Sequence, residues 1–342
     1  MKIAIHKRKG SFSDRWIQYC IKYKITYKLV DCYSTRIIEE LKDCDGLLWH
    51  WNQNDYKAAL CARQITKSVE ETGKKVFPNS NSSWHFDDKV GQKYLLEAID
   101  APTVNSYVFY TKKEAIDWLR LTEFPKVFKL RGGAGSVNVK LVKNYKSGCN
   151  LIRKAFSTGF SPIDKSAYVK DRFRDFKRLR NKESFIGIFK SFGRVLIPKD
   201  FIKYASNEKG YVYFQDFIPK NDFDTRLIVV GNRCFGVRRY CRANDFRASG
   251  SGVKAYNKEL FDINMVKIAF DTANKIGSQS LAFDFITDQG TPKIIELSYC
   301  YLMGDFYDNC HGYWDNNLVW HKENINPQNF IIEDFINSVK SK

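Results

Sequence analysis

The sequence predicts a mixed α/β and α+β protein, with a parallel α/β domain at the N-terminus followed by a longer region rich in hairpins. Three observations predict it. Strand-like and helix-like stretches alternate from residue 1 to about 78, the order that builds a parallel sheet with covering helices. From about residue 103 the chain turns β-rich, with apolar stretches joined by glycine-containing turns, as antiparallel strands are. The length, 342 residues, is more than one domain's worth, and a composition 44% hydrophobic and 15% aromatic suits packed cores rather than disorder. Changes of pattern divide the chain into residues 1–85, 86–214 and 215–342.

In order, KIAIH (2–6) is a short apolar strand, and SDRWIQYCIKYK (13–24) a helix with Ser13 as N-cap and Trp16, Ile17, Cys20 and Ile21 on one face. TYKLVDC, TRIIEELKDC and GLLWHW follow as strand, helix and strand. A long amphipathic helix over 55–73 then closes at Gly73, and KKVFPNS is the fourth strand. His50 and Trp51 lie at the carboxyl end of the third strand, where open parallel sheets place ligands; a turn residue and a core aromatic is the other reading. Asp87 or Asp88 opens a helix that contains Lys89. Next come the strand 103–110, the helix 112–121, and two strands around Arg131-Gly132-Gly133-Ala134-Gly135-Ser136. Small residues let backbone N–H groups close on an anion, and Lys129 beside the loop adds charge. The loop matches neither GxxxxGK[ST] nor GxGxxG, and its strand–loop–strand setting excludes a P-loop or a Rossmann loop. YVYFQDFIP is an apolar strand. Residues 221–242 form a hairpin turning at Gly231-Asn232, with Arg226 in the first strand and the adjacent Arg238 and Arg239 in the second. A polar, glycine-rich stretch (243–256), a helix ending at Gly277 and a C-terminal helix complete the series.

The net charge is +18. Nucleic acid, an anionic membrane surface and an acidic small substrate are all compatible with it. Part of it lies in residues 165–182, where Lys165, Lys170, Arg172, Arg174, Lys177, Arg178, Arg180 and Lys182 are interrupted by Asp171 and Asp175. Helical spacing of the acids makes this a solvated helix face. The 9 cysteines include no CxxC pair and are odd in number, against a zinc site or a disulfide framework. No stretch reaches membrane-spanning length and the first residues lack a signal-peptide core. A reduced, cytoplasmic protein is expected.

Residues 281–300, LAFDFITDQGTPKIIELSYC, read as a second hairpin, with Asp284 in its first strand and Glu296 near the end of its second. Residues facing each other in a hairpin lie about 5 Å apart, so two carboxylates can share one side. Acids in apolar strands are costly without a cation. With Ser298 they suit a magnesium site for a nucleoside triphosphate; strand-end acids bonded to nearby Lys or Arg are the plainer alternative.

The order of these features resembles the ATP-grasp superfamily, which includes D-alanine–D-alanine ligase, glutathione synthetase and the ribosomal-protein glutamate ligases. It runs α/β domain, Lys at a helix start, Lys with a glycine-rich hairpin, FQDFIP, DxR, a basic glycine-rich segment, then Asp…Glu-x-Ser. The resemblance implies an ATP-grasp fold, in which two α+β subdomains clasp ATP after the N-terminal domain. It makes Lys89 and Lys129 the lysines on the ATP phosphates and Gly133, Ala134, Gly135 and Ser136 part of the loop over them. Gln215 would face the adenine amine, and the backbone of Asp216, Phe217 and Ile218 would line the adenine. Asp222 or Asp224 would lie near the ribose. Arg226 and Arg247 would face the transferred phosphate and the substrate carboxylate, while Asp284, Glu296 and Ser298 would hold Mg2+. Two departures stand out: Ser298 replaces the usual Asn, and Gln215 the usual Glu, although an amide oxygen still accepts a hydrogen bond.

The function so implied is an ATP-dependent carboxylate–amine ligase that works through an acyl phosphate and releases ADP and phosphate. Its partners would be a carboxylate substrate and an amine nucleophile, with an acidic saccharide or acidic peptide as acceptor; a homodimer is compatible, and nucleic acid is not expected. The chemistry agrees, because phosphoryl transfer to a carboxylate brings two anions together and needs cations to neutralise them. Arg247 and the backbone of residues 250–252 are candidates to stabilise the oxyanion of the second step. Two other readings keep the fold: a kinase of a polyanionic small molecule, and a nucleotide-binding regulator with weakened catalysis.

Overall fold

The computed structural model describes residues 1–133, 138–161, 206–241, 252–304 and 307–341. The basic segment 165–182, together with Ala134, Gly135, Ser136 and Arg247, lies outside the described residues. The chain forms two compact units. Unit 1 comprises Met1–Val104 and Ile218–Lys342, and unit 2 comprises Asn105–Phe217.

Unit 1 begins with the expected parallel sheet. Strands β1 (Ile3–His6), β2 (Tyr27–Val30), β3 (Gly46–Leu48) and β4 (Lys75–Phe77) pair in the order β2-β1-β3-β4, all parallel. Its helices are α1 (Phe12–Lys22), α2 (Ile37–Glu40) and α3 (Tyr56–Glu71). The cap of α1 is Ser11 rather than Ser13: the Ser11 side chain accepts from Ser13 N, and the Ser13 hydroxyl turns back to the Arg8 carbonyl. This start puts Phe12, Trp16 and Cys20 inside and leaves Ile21 exposed. The second helix shrinks to a single turn. The third fills its expected span, capped by Asp55 and followed by left-handed Gly73. After a short turn of helix, α4 (Ser80–Ser83), comes α5 (Lys89–Ala98), which starts at Lys89 because the Asp88 side chain caps Gly91 N.

Unit 2 is an antiparallel sheet of β5 (Ser106–Phe109), β6 (Lys126–Lys129), β7 (Lys140–Val142) and β8 (Val212–Asp216), ordered β5-β8-β6-β7. The helices α6 (Lys112–Leu121) and α7 (Tyr145–Ala155) supply its core, with Leu119 and Ile152 packed among Phe128, Val142 and Phe214. Gly148 permits their close approach, since a Cβ there would sit 2.6 Å from the Leu119 side chain.

The remainder of unit 1 is a seven-stranded sheet. Strands β9 (Phe223–Val230), β10 (Arg233–Tyr240), β11 (Lys254–Ala255), β12 (Ser280–Asp288), β13 (Thr291–Ser298), β14 (Tyr313–Asp315) and β15 (Trp320–His321) run in the order β13-β12-β9-β10-β14-β15, with β11 on β10. Helix α8 (Ile263–Ile276) ends at left-handed Gly277, and α9 (Pro327–Lys340) closes the chain. Alternation along the strands divides the sheet: Leu227, Val229, Phe283 and Phe285 join the core containing α8, whereas Ile228, Val230 and Ala282 join the core containing α9. Residues 86–104 belong to this unit and not with residues 105–214, because the 102–104 segment bonds to Ile294 on the sheet's edge strand. No helix among the described residues is long and apolar enough to cross a membrane.

Candidate active site

The β12–β13 hairpin turns through Gln289 and Gly290, both with positive φ (46° and 86°), the backbone that a two-residue hairpin turn favours. The turn fixes Asp288 opposite Thr291 and Phe285 opposite Ile294. A regular ladder would then set Ile295 across from Asp284. Instead the register shifts between Asp284 and Phe285, and Glu296 is the partner of Asp284. This bulge brings the two carboxylates to one face.

The same face continues onto β9 and β10, where Arg226 lies opposite Asp284 and Asp224 opposite Arg239. Arg226 donates from Nε and Nη2 to Asp284 at 2.6 and 2.7 Å. Arg239 forks onto Asp224 at 2.6 and 2.5 Å, and its Nη2 is also 2.9 Å from Asp284 Oδ2. Asp224, Arg239 and Asp284 are each 6% exposed. Burial alone would raise the carboxyl pKa of Asp284, but the Arg226 and Arg239 guanidiniums outweigh it and hold the group below the usual carboxylate range. At Asp224 burial prevails and pushes the carboxyl up.

Glu296 is in a different state, with a side chain 34% exposed and Lys89 Nζ 3.1 Å from its Oε1. Helix α5 places that lysine. Gln92, one turn further on, bonds both backbone groups of Leu297, donating to its oxygen at 2.8 Å and accepting from its nitrogen at 3.0 Å. The helix thus covers the edge strand β13, with Lys89 over Glu296. Ser298 donates its hydroxyl to the Cys300 carbonyl at 2.7 Å.

Beyond this hairpin in unit 1 lies the carboxyl end of the parallel sheet. His50 stacks on Phe12 with ring centroids 3.6 Å apart. Its Nδ1 accepts from Phe12 N at 3.2 Å, which leaves Nε2 as the protonated nitrogen, 3.2 Å from Cys300 Sγ. Burial keeps the imidazole neutral, well below its ordinary pKa, and pushes the Cys300 thiol up to about 12. The imidazole therefore donates to the sulfur, and the pair is no nucleophile with its base. Of the two readings of His50 and Trp51, the structure gives core residues, 5% and 2% exposed. Arg8 reaches the His50 carbonyl with Nη2 at 3.3 Å, and its buried Nε finds no hydrogen-bond partner among the described residues.

In unit 2, Lys129 Nζ donates to Gln215 Oε1 at 2.7 Å, and the Gln215 amide nitrogen donates to Ser106 Oγ at 3.0 Å. Asp216 accepts from Lys126 Nζ at 2.6 Å. The ladder of β8 ends at Asp216, so Phe217 and Ile218 leave the sheet there. Gly133 is left-handed, with φ 109°.

Several expectations change. Asp224, expected beside a ribose, is a buried partner of Arg239; of the two acids considered, Asp222 is the exposed one. Arg226, expected to face a phosphate, has two donors on Asp284, because a buried carboxylate on the adjacent strand demands compensation. Ser298 turns to a carbonyl. Arg239 was placed on its strand but given no role. The signal was there in CFGVRRY, a cation inside an apolar strand. Its neighbour Arg238 points the other way, over the Phe223 ring at 3.9 Å.

The chain matches no protein-family model and no curated protein sequence. Solved structures do resemble it. A RimK-domain ATP-grasp protein from Sphaerobacter thermophilus has 13% identity and a TM-score of 0.57, over 98% of this chain and 100% of that one. D-alanine–D-alanine ligase from Bacillus anthracis, complexed with ATP, has 14% identity and a TM-score of 0.55, over 100% and 98%. The ATP-grasp ligase PsnB, complexed with minimal precursor, Mg and ADP, has 10% identity and a TM-score of 0.56, over 99% and 98%. The fold is the ATP-grasp fold, as the order of motifs implied.

What unit 1 offers a divalent cation is one carboxylate, Glu296, which is partly exposed and engaged by one ammonium. Among the described residues no group of three acids, histidines or cysteines could hold one.

Proposed function

We propose that this chain is an ATP-dependent carboxylate–amine ligase. The observation that carries the reading is the partly exposed carboxylate of Glu296 with Lys89 beside it, within an ATP-grasp fold. Lys89, at the helix start, and Lys129, resting on a neutral amide oxygen, are the ammonium groups suited to phosphate oxygens. Gln215 Oε1 keeps a second lone pair for the adenine amine, and Asp216, Phe217 and Ile218 supply backbone where the strand ends. Asp222 is our choice for the ribose. Gly133, Ala134, Gly135 and Ser136 are proposed as the loop over the phosphates. Magnesium, when bound, supplies charge neutralisation of the triphosphate.

An oxygen of the substrate carboxylate attacks the γ-phosphorus, the bond to ADP breaks, and an acyl phosphate forms. The amine then attacks the carbonyl carbon, phosphate leaves, and the amine proton passes to solvent. Arg247 and the backbone of residues 250–252 are assigned to the oxyanion of this step. Arg8, with a buried donor unmatched in unit 1, is assigned to an anionic group of the acid substrate. Solved structures of this fold that are ligases, some of them holding ATP or ADP, support the reaction class.

The test is ADP release from ATP and Mg2+ with a panel of acids and amines, including glutamyl peptides. Release that requires both substrates is the expected result. Phosphorylation of a single acceptor would make the chain a kinase, and nucleotide binding without turnover would make it a regulator.

A further inference from the structure

Asp284 and Glu296 face each other, yet only one of them is available to a metal. Resting on the ATP reading above, we propose that the site takes a single divalent cation, through Glu296. Asp284 serves instead as the counter-ion of Arg226 and Arg239.

A carboxylate offers about four acceptor positions on its two oxygens. At Asp284 three of them are filled by guanidinium contacts of 2.6, 2.7 and 2.9 Å, in a side chain 6% exposed. Turning that carboxylate to a metal would leave Arg226 and Arg239 with only Asp224 between them, a buried excess of positive charge. The fork is planar and bidentate, so it does not loosen one contact at a time. Glu296 has the opposite character. Its partner is one ammonium on a flexible stem, able to move to a phosphate oxygen when nucleotide arrives. Ser298 does not restore a second ligand, because its hydroxyl is turned to the Cys300 carbonyl at 2.7 Å and carries no charge.

Charge points the same way. Two carboxylates and two guanidiniums in the buried ring cancel, so Glu296 is the one acid on this face that becomes free for a cation once Lys89 shifts to a phosphate oxygen. Magnesium keeps much of its shell as water and substrate phosphate and needs one or two carboxylates. One ion is satisfied on this face; among the described residues of these strands, a second would meet only carboxylates already held by arginine.

The test uses the full chain, Mn2+ as the probe and a non-hydrolysable ATP analogue. Electron paramagnetic resonance with equilibrium dialysis counts the ions bound. We expect one Mn2+ per chain at saturation. Glu296→Gln should weaken Mn2+ binding by at least about tenfold, the usual loss on removing a metal's partner. Asp284→Asn, close to isosteric, removes the charge a metal would use while its one amide oxygen still accepts from the arginines, and should leave Mn2+ affinity within about threefold of wild type. Two Mn2+ in the wild type, a count that needs no variant, overturns the proposal. So does a loss in Asp284→Asn equal to that in Glu296→Gln. If the analogue itself fails to bind with Mg2+ present, the ATP reading falls and this inference with it, an outcome distinct from a count of two.

Discussion

The two units hold their buried cations by different chemistry. In unit 1, Arg226 and Arg239 fork onto Asp284 and Asp224, and four charges cancel inside the protein. In unit 2, Lys129 donates to the neutral amide oxygen of Gln215, and Lys126 makes a point contact with Asp216. A guanidinium fork fixes geometry, whereas an ammonium on a long stem can exchange one oxygen for another. The difference teaches which cations belong to the frame and which are available to a ligand. By that criterion Arg226 and Arg239 lock β9, β10 and β12 together, and the lysines are the groups proposed for phosphate.

The contrast is broken most directly at Asp284. Asp284→Ala leaves two buried guanidiniums sharing one acid and should destabilise unit 1 by about 3–5 kcal/mol. Lys129→Met leaves the buried Gln215 amide oxygen short of a donor, a loss of about 1–3 kcal/mol. Equilibrium denaturation in guanidinium chloride compares them. A smaller loss for Asp284→Ala than for Lys129→Met would show that the fork is no frame.

Most of the frame was legible because its determinants are local. The span of α3 followed from its amphipathic run and Gly73, and the β12–β13 hairpin from the polar, glycine-containing stretch 287–292 between apolar strands. The acids Asp284 and Glu296 were legible as acids of one hairpin, but their facing each other depends on the bulge at Ile295. Their partners were not legible. Whether Asp284 meets Arg226, Arg239 or a metal depends on the register of three strands separated by tens of residues, and on an unpaired Ile295 that no turn residue announces. The choice between Asp222 and Asp224 fails at the level of sequence for a simpler reason. They stand two positions apart in one run, and only the structure shows that Asp222 precedes β9 and is exposed while Asp224 lies inside the strand against Arg239.

A second difference between the units follows from composition. All five histidines, His6, His50, His85, His311 and His321, fall in unit 1, and residues 105–217 contain none. Burial lowers the pKa of His6 and His50, and it takes His85 from 6.5 to about 4. A base whose folded pKa is depressed contributes stability that is present above its unfolded pKa and is lost as pH falls toward the folded value. For His85 the window runs from pH 6.5 down to about 4, and at about 1.4 kcal/mol per pKa unit it carries roughly 3 kcal/mol. Hydrogen exchange at pH 7 and pH 5, corrected for intrinsic rates, should show β1, β3 and α5 losing protection while β5, β6 and β8 keep theirs. Equal loss in both units would remove the histidines as the cause.

The smallest effect is also the sharpest test of the comparison. Gln215→Glu would give unit 2 a buried ion pair like those of unit 1, but with a lysine in place of an arginine. The new Coulomb attraction between Lys129 and the carboxylate is offset by the desolvation of that carboxylate, so stability should change by less than about 1 kcal/mol. The dependence on Lys129 should change more. In the Gln215→Glu background, Lys129→Met leaves a buried acid alone, and its cost should exceed the wild-type cost by at least about 1 kcal/mol. A double-mutant cycle read by chemical denaturation measures that excess directly. If it is absent, Lys129 does not depend on residue 215 for its position, and the mobility assigned to the lysine would have to come from elsewhere in unit 2.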